Sequence, residues 1–167
     1  DPHALLLFCP SEGILIAGDA LWENGFGVIF PELAGEPGFR EARATLELIG
    51  TLDARVVIPG HGRMFTDVAG ALQRAYSRLD YLSADTQRNA ENAVKVLVKF
   101  LLLERQRIGV AALPALLAAI PVVASAMRQM DVGPLAPAAY TTLANWAIAS
   151  LLRARAARID GDFLVDA

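Results

Sequence analysis

The chain has 167 residues and a mass of 17.8 kDa, enough for one ordinary domain or a small domain with an appendage, and too short for two full enzymes. Hydrophobic residues make up 54% and charged residues 20%, with a mean hydropathy of +0.40, which supplies a core and excludes a disordered chain. The net charge of −3 is unevenly spread: residues 1–85 carry 12 acids and 6 bases, net −6, and residues 86–167 carry 6 acids and 9 bases, net +3.

Residues 4–9 (ALLLFC) and 14–17 (ILIA) are apolar and flank the turn residues Pro10-Ser11-Glu12-Gly13, so they are expected to form a hairpin. Cys9 falls within the first of these runs and is expected to be a small core residue. As the single cysteine it allows no internal disulfide, which fits a reducing cytoplasm. Asp1-Pro2-His3 is no basic n-region, so no signal peptide is expected. After Asp19 the segment 21–39 is rich in glycine, proline and aromatics and is expected to be a long ordered loop or lid.

From Phe39 the apolar positions Phe39, Ala42, Leu46 and Ile49 recur at helical spacing, predicting a helix to about Leu52. Residues 55–59 (RVVIP) form a short β-branched run that stops at Pro59-Gly60. Asp67 can cap the next helix, whose expected inner face is Val68, Leu72, Tyr76 and Leu79.

Residues 86–105 predict a helix with an apolar stripe of Val94, Leu97, Val98, Leu101 and Leu102, its Lys95, Lys99 and Arg105 snorkelling or turned to water. The uncharged run 108–127 reaches the length of a membrane helix. Pro114 and Pro121 divide it, so two short buried helices, 112–120 and 122–130, are expected instead. A last helix spans 138 to about 154 with Tyr140, Leu143, Ala147 and Leu151 on one face, and Asp160-Gly161 predicts a type I′ hairpin across 157–165. The order of helices and hairpin suggests a winged-helix-like module. The arginines at 153, 155 and 158 suit the positive end of a helix better than a nucleic-acid surface.

Two positions carry candidate chemistry. Asp19 follows a buried strand in Ile16-Ala17-Gly18-Asp19-Ala20-Leu21-Trp22, and His61 follows another in Val57-Ile58-Pro59-Gly60-His61-Gly62. Flanking glycines permit the tight turn and close backbone approach of a ligand loop. Taken in order with the hairpin, helix and strand between them, these segments resemble the second half of the metallo-β-lactamase superfamily fold. The resemblance covers residues 1–82, and the Gly-Asp and Pro-Gly-His-Gly pair carries it.

That resemblance implies an α+β chain in two parts: the C-terminal half of an αββα sandwich (1–84), then a mainly helical C-terminal domain (85–167). It implies a bridging carboxylate at Asp19 and a metal-binding histidine at His61, serving a dinuclear zinc site whose bound hydroxide cleaves a thioester, lactone or related ester. Trp22, Glu23, Asn24 and Phe26 follow Asp19 and are expected to line a substrate pocket; in the alternative, Trp22, Phe26 and Phe30 pin the loop to the core. The family's His-x-His-x-Asp-His motif is absent from the chain. The expectation is therefore a portion of a longer hydrolase, inactive and metal-poor by itself, with His3 near the site rather than a ligand. Without its first sheet, Leu5, Leu7, Ile14 and Ile16 or their alternating neighbours should be bare. The expected partners are a small-molecule substrate and a second copy, with neither nucleic acid nor membrane. A second reading makes the helical half an oligomerisation or binding module.

Overall fold

A computed structural model describes residues 5–167. The chain divides into two compact units, Asp1–Asp85 and Thr86–Ala167.

In the first unit, strands β1 (Leu7–Cys9) and β2 (Ile14–Gly18) form the expected antiparallel hairpin, with Leu7 opposite Ile16 and Cys9 opposite Ile14. The loop after β2 contains one 3₁₀ turn, Pro31–Ala34, and leads into helix α1 (Gly38–Thr51). Glu32 Oε1 accepts the Phe39 N–H at 2.7 Å, satisfying one of the donors that a helix start leaves open. The chain then returns in strand β3 (Val56–Pro59), parallel to β2, with Ile16 opposite Ile58. Helix α2 (Val68–Ser83) follows, capped by the Asp67 side chain.

Alternation along the strands separates two faces. Leu15, Ala17 and Val57 point into a core shared with Leu46 and Ile49 of α1 and with Ala71, Ala75 and Leu79 of α2. The opposite face carries Leu7, Ile16 and Ile58 in one register row at 62%, 44% and 38% exposure. This is the bare layer expected from the sequence. The buried seam of α2 is Ala71, Ala75, Leu79 and Leu82, while Val68, Leu72 and Tyr76 flank it half-buried. Alanine at the contact lets the helix axis approach closely and moves the larger side chains to the margins.

The second unit opens with α3 (Thr86–Arg105) and continues through β4 (Arg107–Gly109), α4 (Leu113–Ala118), α5 (Pro121–Gln129), α6 (Pro137–Arg153), β5 (Ala157–Asp160) and β6 (Phe163–Asp166). A proline stands in the first turn of α4, α5 and α6, where its missing N–H has no intrahelical acceptor to lose. The three strands form an antiparallel sheet in the order β4-β6-β5. Its inner face, Ile108, Leu164 and Ala157, is buried, as are Val98 and Leu102 of α3 and Leu143 and Ala147 of α6.

Three expectations are corrected here. β4 was not foreseen, because three residues carry no readable alternation and its partner β6 lies more than fifty residues on. Lys99, expected to snorkel or face water, has fixed partners instead: it donates to Ala156 O at 2.6 Å and pairs with Asp166. The hairpin turn is Gly161-Asp162, since Asp160 is already paired with Phe163. Only Gly161, at φ 57°, has a positive angle there, the pattern of a type II′ turn rather than I′.

Among the described residues no single helix is long and apolar enough to cross a membrane. The segments Val110–Ala118 and Pro121–Gln129 pass that test only together, with a 93° bend between them. Their apolar residues Leu113, Leu117, Val123 and Met127 are fully buried.

Candidate functional site

Because β2 and β3 are parallel neighbours, the loops after them leave the sheet at the same edge, and residues 42 positions apart meet there. A register shift between Ile16 and Gly18 sets Gly18 opposite Pro59, and Gly60 N–H donates to Gly18 O at 2.7 Å. Gly18 takes φ 52°, a left-handed conformation that turns the chain sharply. Asp19 and His61 emerge side by side, with His61 Nδ1 3.0 Å from Asp19 Oδ1. Their side chains are 60% and 61% exposed.

Trp22 completes the cluster. Its Nε1–H donates to the same Asp19 Oδ1 at 3.3 Å, and its ring lies 5.0 Å from the His61 ring at an interplanar angle of 57°. The backbone closes a short loop beneath it: Trp22 N–H donates to Gly25 O at 2.7 Å, and Gly27 N–H to Asp19 O at 2.8 Å. Arg74 on α2 holds the outside of this loop by donating from Nε to Glu23 O at 2.8 Å, and it also pairs with Asp67 at 3.3 Å. On the other side Phe65 returns to pair with Val57 through two backbone bonds, of 2.9 and 3.0 Å, so the loop carrying His61 is tethered at both ends.

Two glycines make this approach possible. A Cβ on Gly60 would lie 2.6 Å from Asp19 Oδ1 and 3.0 Å from the backbone of Gly18, and one on Gly27 would lie 2.8 Å from the Asp19 Cβ. Gly60 was expected as part of the ligand motif, and Gly27, with Gly25, as a residue that lets the loop after Asp19 fold tightly; its approach to the Asp19 side chain was not expected.

The remaining candidates separate. Glu23 and Asn24 are exposed beside the cluster, and Trp22 is half-buried in it. Phe26 is 5% exposed in the core of the first unit, under the guanidinium of Arg78 at 5.8 Å. Cys9 is corrected: it is exposed at the end of β1, with Sγ 3.4 Å from Ser11 Oγ. The Ser11 hydroxyl, aided by backbone hydrogen bonds, lowers the thiol pKa from its ordinary value. His3 lies outside the described residues.

A carboxylate and an imidazole this close are a fitting part of a zinc donor set, but such a site normally takes three or four protein ligands. Among the described residues no group of three or more histidine, cysteine, aspartate or glutamate side chains could hold a metal ion. The pair fits such a site in kind and does not complete one.

No protein-family pattern matches the chain, and no curated protein does. Among solved structures it is similar to a metallo-β-lactamase family protein from Thermus thermophilus, at 19% identity and a TM-score of 0.35, over 97% of this chain and 44% of that one. The chain thus spans less than half of that protein's length.

Proposed function

We propose that this chain is the C-terminal part of a metal-dependent hydrolase of the metallo-β-lactamase superfamily, with Asp19 and His61 as two of its ligands. The observation that carries this reading is the 3.0 Å approach of the Asp19 carboxylate and the His61 imidazole on two parallel strand ends. Side chains at Gly27 and Gly60 would forbid it. The remaining ligands come from residues outside this chain, on a layer that covers the bare row Leu7, Ile16 and Ile58. Zinc bound there supplies a hydroxide near neutral pH for a thioester, lactone or related ester.

The chain's own residues then have separate tasks. Asp19 and His61 hold the ion, the Trp22 indole N–H fixes the Asp19 carboxylate and orients it, and Glu23 and Asn24 form the polar lip that meets the substrate. In the second unit, a helix, a strand, three helices and a hairpin with sheet order β4-β6-β5 support a winged-helix-like reading.

The test is made on the whole encoded protein, with metal content by elemental analysis and turnover on a panel of thioesters, lactones and esters. Asp19→Ala and His61→Ala should each lose metal and lower kcat/KM by more than about a hundredfold, beyond what loss of an outer-shell partner costs. Wild-type turnover and metal content in Asp19→Ala would overturn the reading.

A further inference from the structure

β5 is an edge strand: in the order β4-β6-β5 it pairs with β6 alone, and Arg158, Ile159 and Asp160 are all exposed. The direction of its backbone groups follows from the ladder. Val110 N–H donates to Asp162 O at 2.9 Å, so the polar groups of Asp162 face the β4 side. These directions alternate along a strand, which turns Leu164 toward β4 and turns Phe163 and Val165 toward β5. Asp160 is opposite Phe163, Arg158 opposite Val165, and Ile159 opposite Leu164. Arg158 and Asp160 therefore exchange bonds with β6, and the N–H and C=O of Ile159 point to the open edge, where no turn or loop of the described residues bonds them.

Side chains alternate in the other direction. Ile159 lies on the sheet face of the buried Ile108 and Leu164 and remains 44% exposed at the edge. Arg158 and Asp160 stand on the solvent face. Neither has an ion pair or side-chain hydrogen bond among the described residues.

A second β5 laid antiparallel about a two-fold axis through Ile159 is complementary to the first. Ile159 meets its own counterpart in a bonded pair, exchanging two N–H to O=C bonds. Arg158 then stands opposite Asp160 of the second copy, and Asp160 opposite its Arg158, where cross-strand pairs of opposite charge are favourable. Sliding the register by two residues in either direction would oppose Arg158 with Arg158 or Asp160 with Asp160, so the charges select the centred arrangement. β5 has no proline and its register with β6 runs unbroken, so neither a missing donor nor a bulge interrupts its open side.

We propose that β5 is the interface of a two-fold homodimer in which β4-β6-β5 continues into the same three strands of a second copy. The inference does not rest on the reading of the Asp19 site. It is tested on the 167-residue chain by sedimentation velocity over a concentration series, for wild type, Arg158→Asp, Asp160→Arg and the double exchange. The wild type should dimerise. Each single variant replaces two opposite-charge pairs with like-charge pairs and should raise the dissociation constant at least about tenfold, and the double exchange should restore it to within about threefold of wild type. A wild type monomeric throughout, single variants that dimerise like wild type, or a double exchange as weak as the singles would each overturn the proposal. Association through the bare sheet face of the first unit would give the second of these results. As an independent measurement, a Cys9→Ser/Ile159→Cys chain should be linked into a dimer by a short bifunctional thiol reagent, because Cα atoms of a bonded antiparallel pair lie about 5.5 Å apart. Absence of the linked dimer on a non-reducing gel counts against the interface.

Discussion

Gly60 sets the separation of Asp19 and His61, because its missing side chain is the space that the Asp19 carboxylate and the Gly18 backbone occupy. The carboxylate can swing aside, but the Gly18 backbone is bonded to Gly60 itself and cannot. Gly60→Ala should cost about 1–3 kcal/mol, as overpacking does, measured by urea unfolding. It should also separate the two side chains, seen as a change in the His61 ring nitrogen resonances. Trp22→Phe keeps the ring against His61 and removes only an exposed hydrogen bond, so stability should fall by less than about 1 kcal/mol. At Cys9 the Ser11 hydroxyl favours the thiolate, which places more of the reactive form at a given pH below the thiol's ordinary range. Ser11→Ala removes that effect and should slow alkylation by iodoacetamide near neutral pH roughly twofold or more; an unchanged rate would show that the hydroxyl does not set the thiol's reactivity.

The helices owe much of their definition to their ends. Asp67 accepts the Gly70 N–H at 3.0 Å, and the same side chain pairs with Arg74, which in turn holds Glu23 O. Asp67→Ala should therefore cost about 1 kcal/mol for the cap and, on amide exchange, loosen the loop from Trp22 to Gly27 more than the rest of the first unit. At the far end of the chain α6 closes with Ala156 N–H on Leu151 O at 2.9 Å and Arg155 N–H on Leu152 O at 3.0 Å, the bond pair of a Schellman ending. The left-handed position in it is Arg155, at φ 54°, where glycine is relaxed. Arg155→Gly should raise stability by about 0.5–1 kcal/mol, and a lower melting temperature would contradict this account of the helix end.

On the scale of the whole molecule, the row Leu7, Ile16 and Ile58 leaves one face of the first sheet without a layer. Replacing all three by threonine leaves a β-branched side chain at each strand position, so the loss should stay below about 1 kcal/mol per site, while fluorescence of a dye that binds apolar patches should fall. Unfolding of the triple variant would mean that the row is core. Helices α1 and α3 and their boundaries were legible in the sequence because a helix bonds within itself, four residues back, and repeats its apolar positions at the same short range. The Asp67 cap and the hairpin of β1 and β2 are equally local. The two candidate ligands were legible as strand-end residues flanked by glycine. Their meeting was implied only by the family resemblance and not by local pattern, since it depends on β2 and β3 lying parallel and adjacent after a crossover. The same distinction explains β4, whose partner is far along the chain, and Lys99, whose partners lie 57 and 67 residues away. It also explains Cys9, whose apolar neighbours predicted burial but which stands on the uncovered side of the sheet. Local periodicity fixes which residues share a face; only the packing of distant segments decides whether that face is covered and which side chains meet across it.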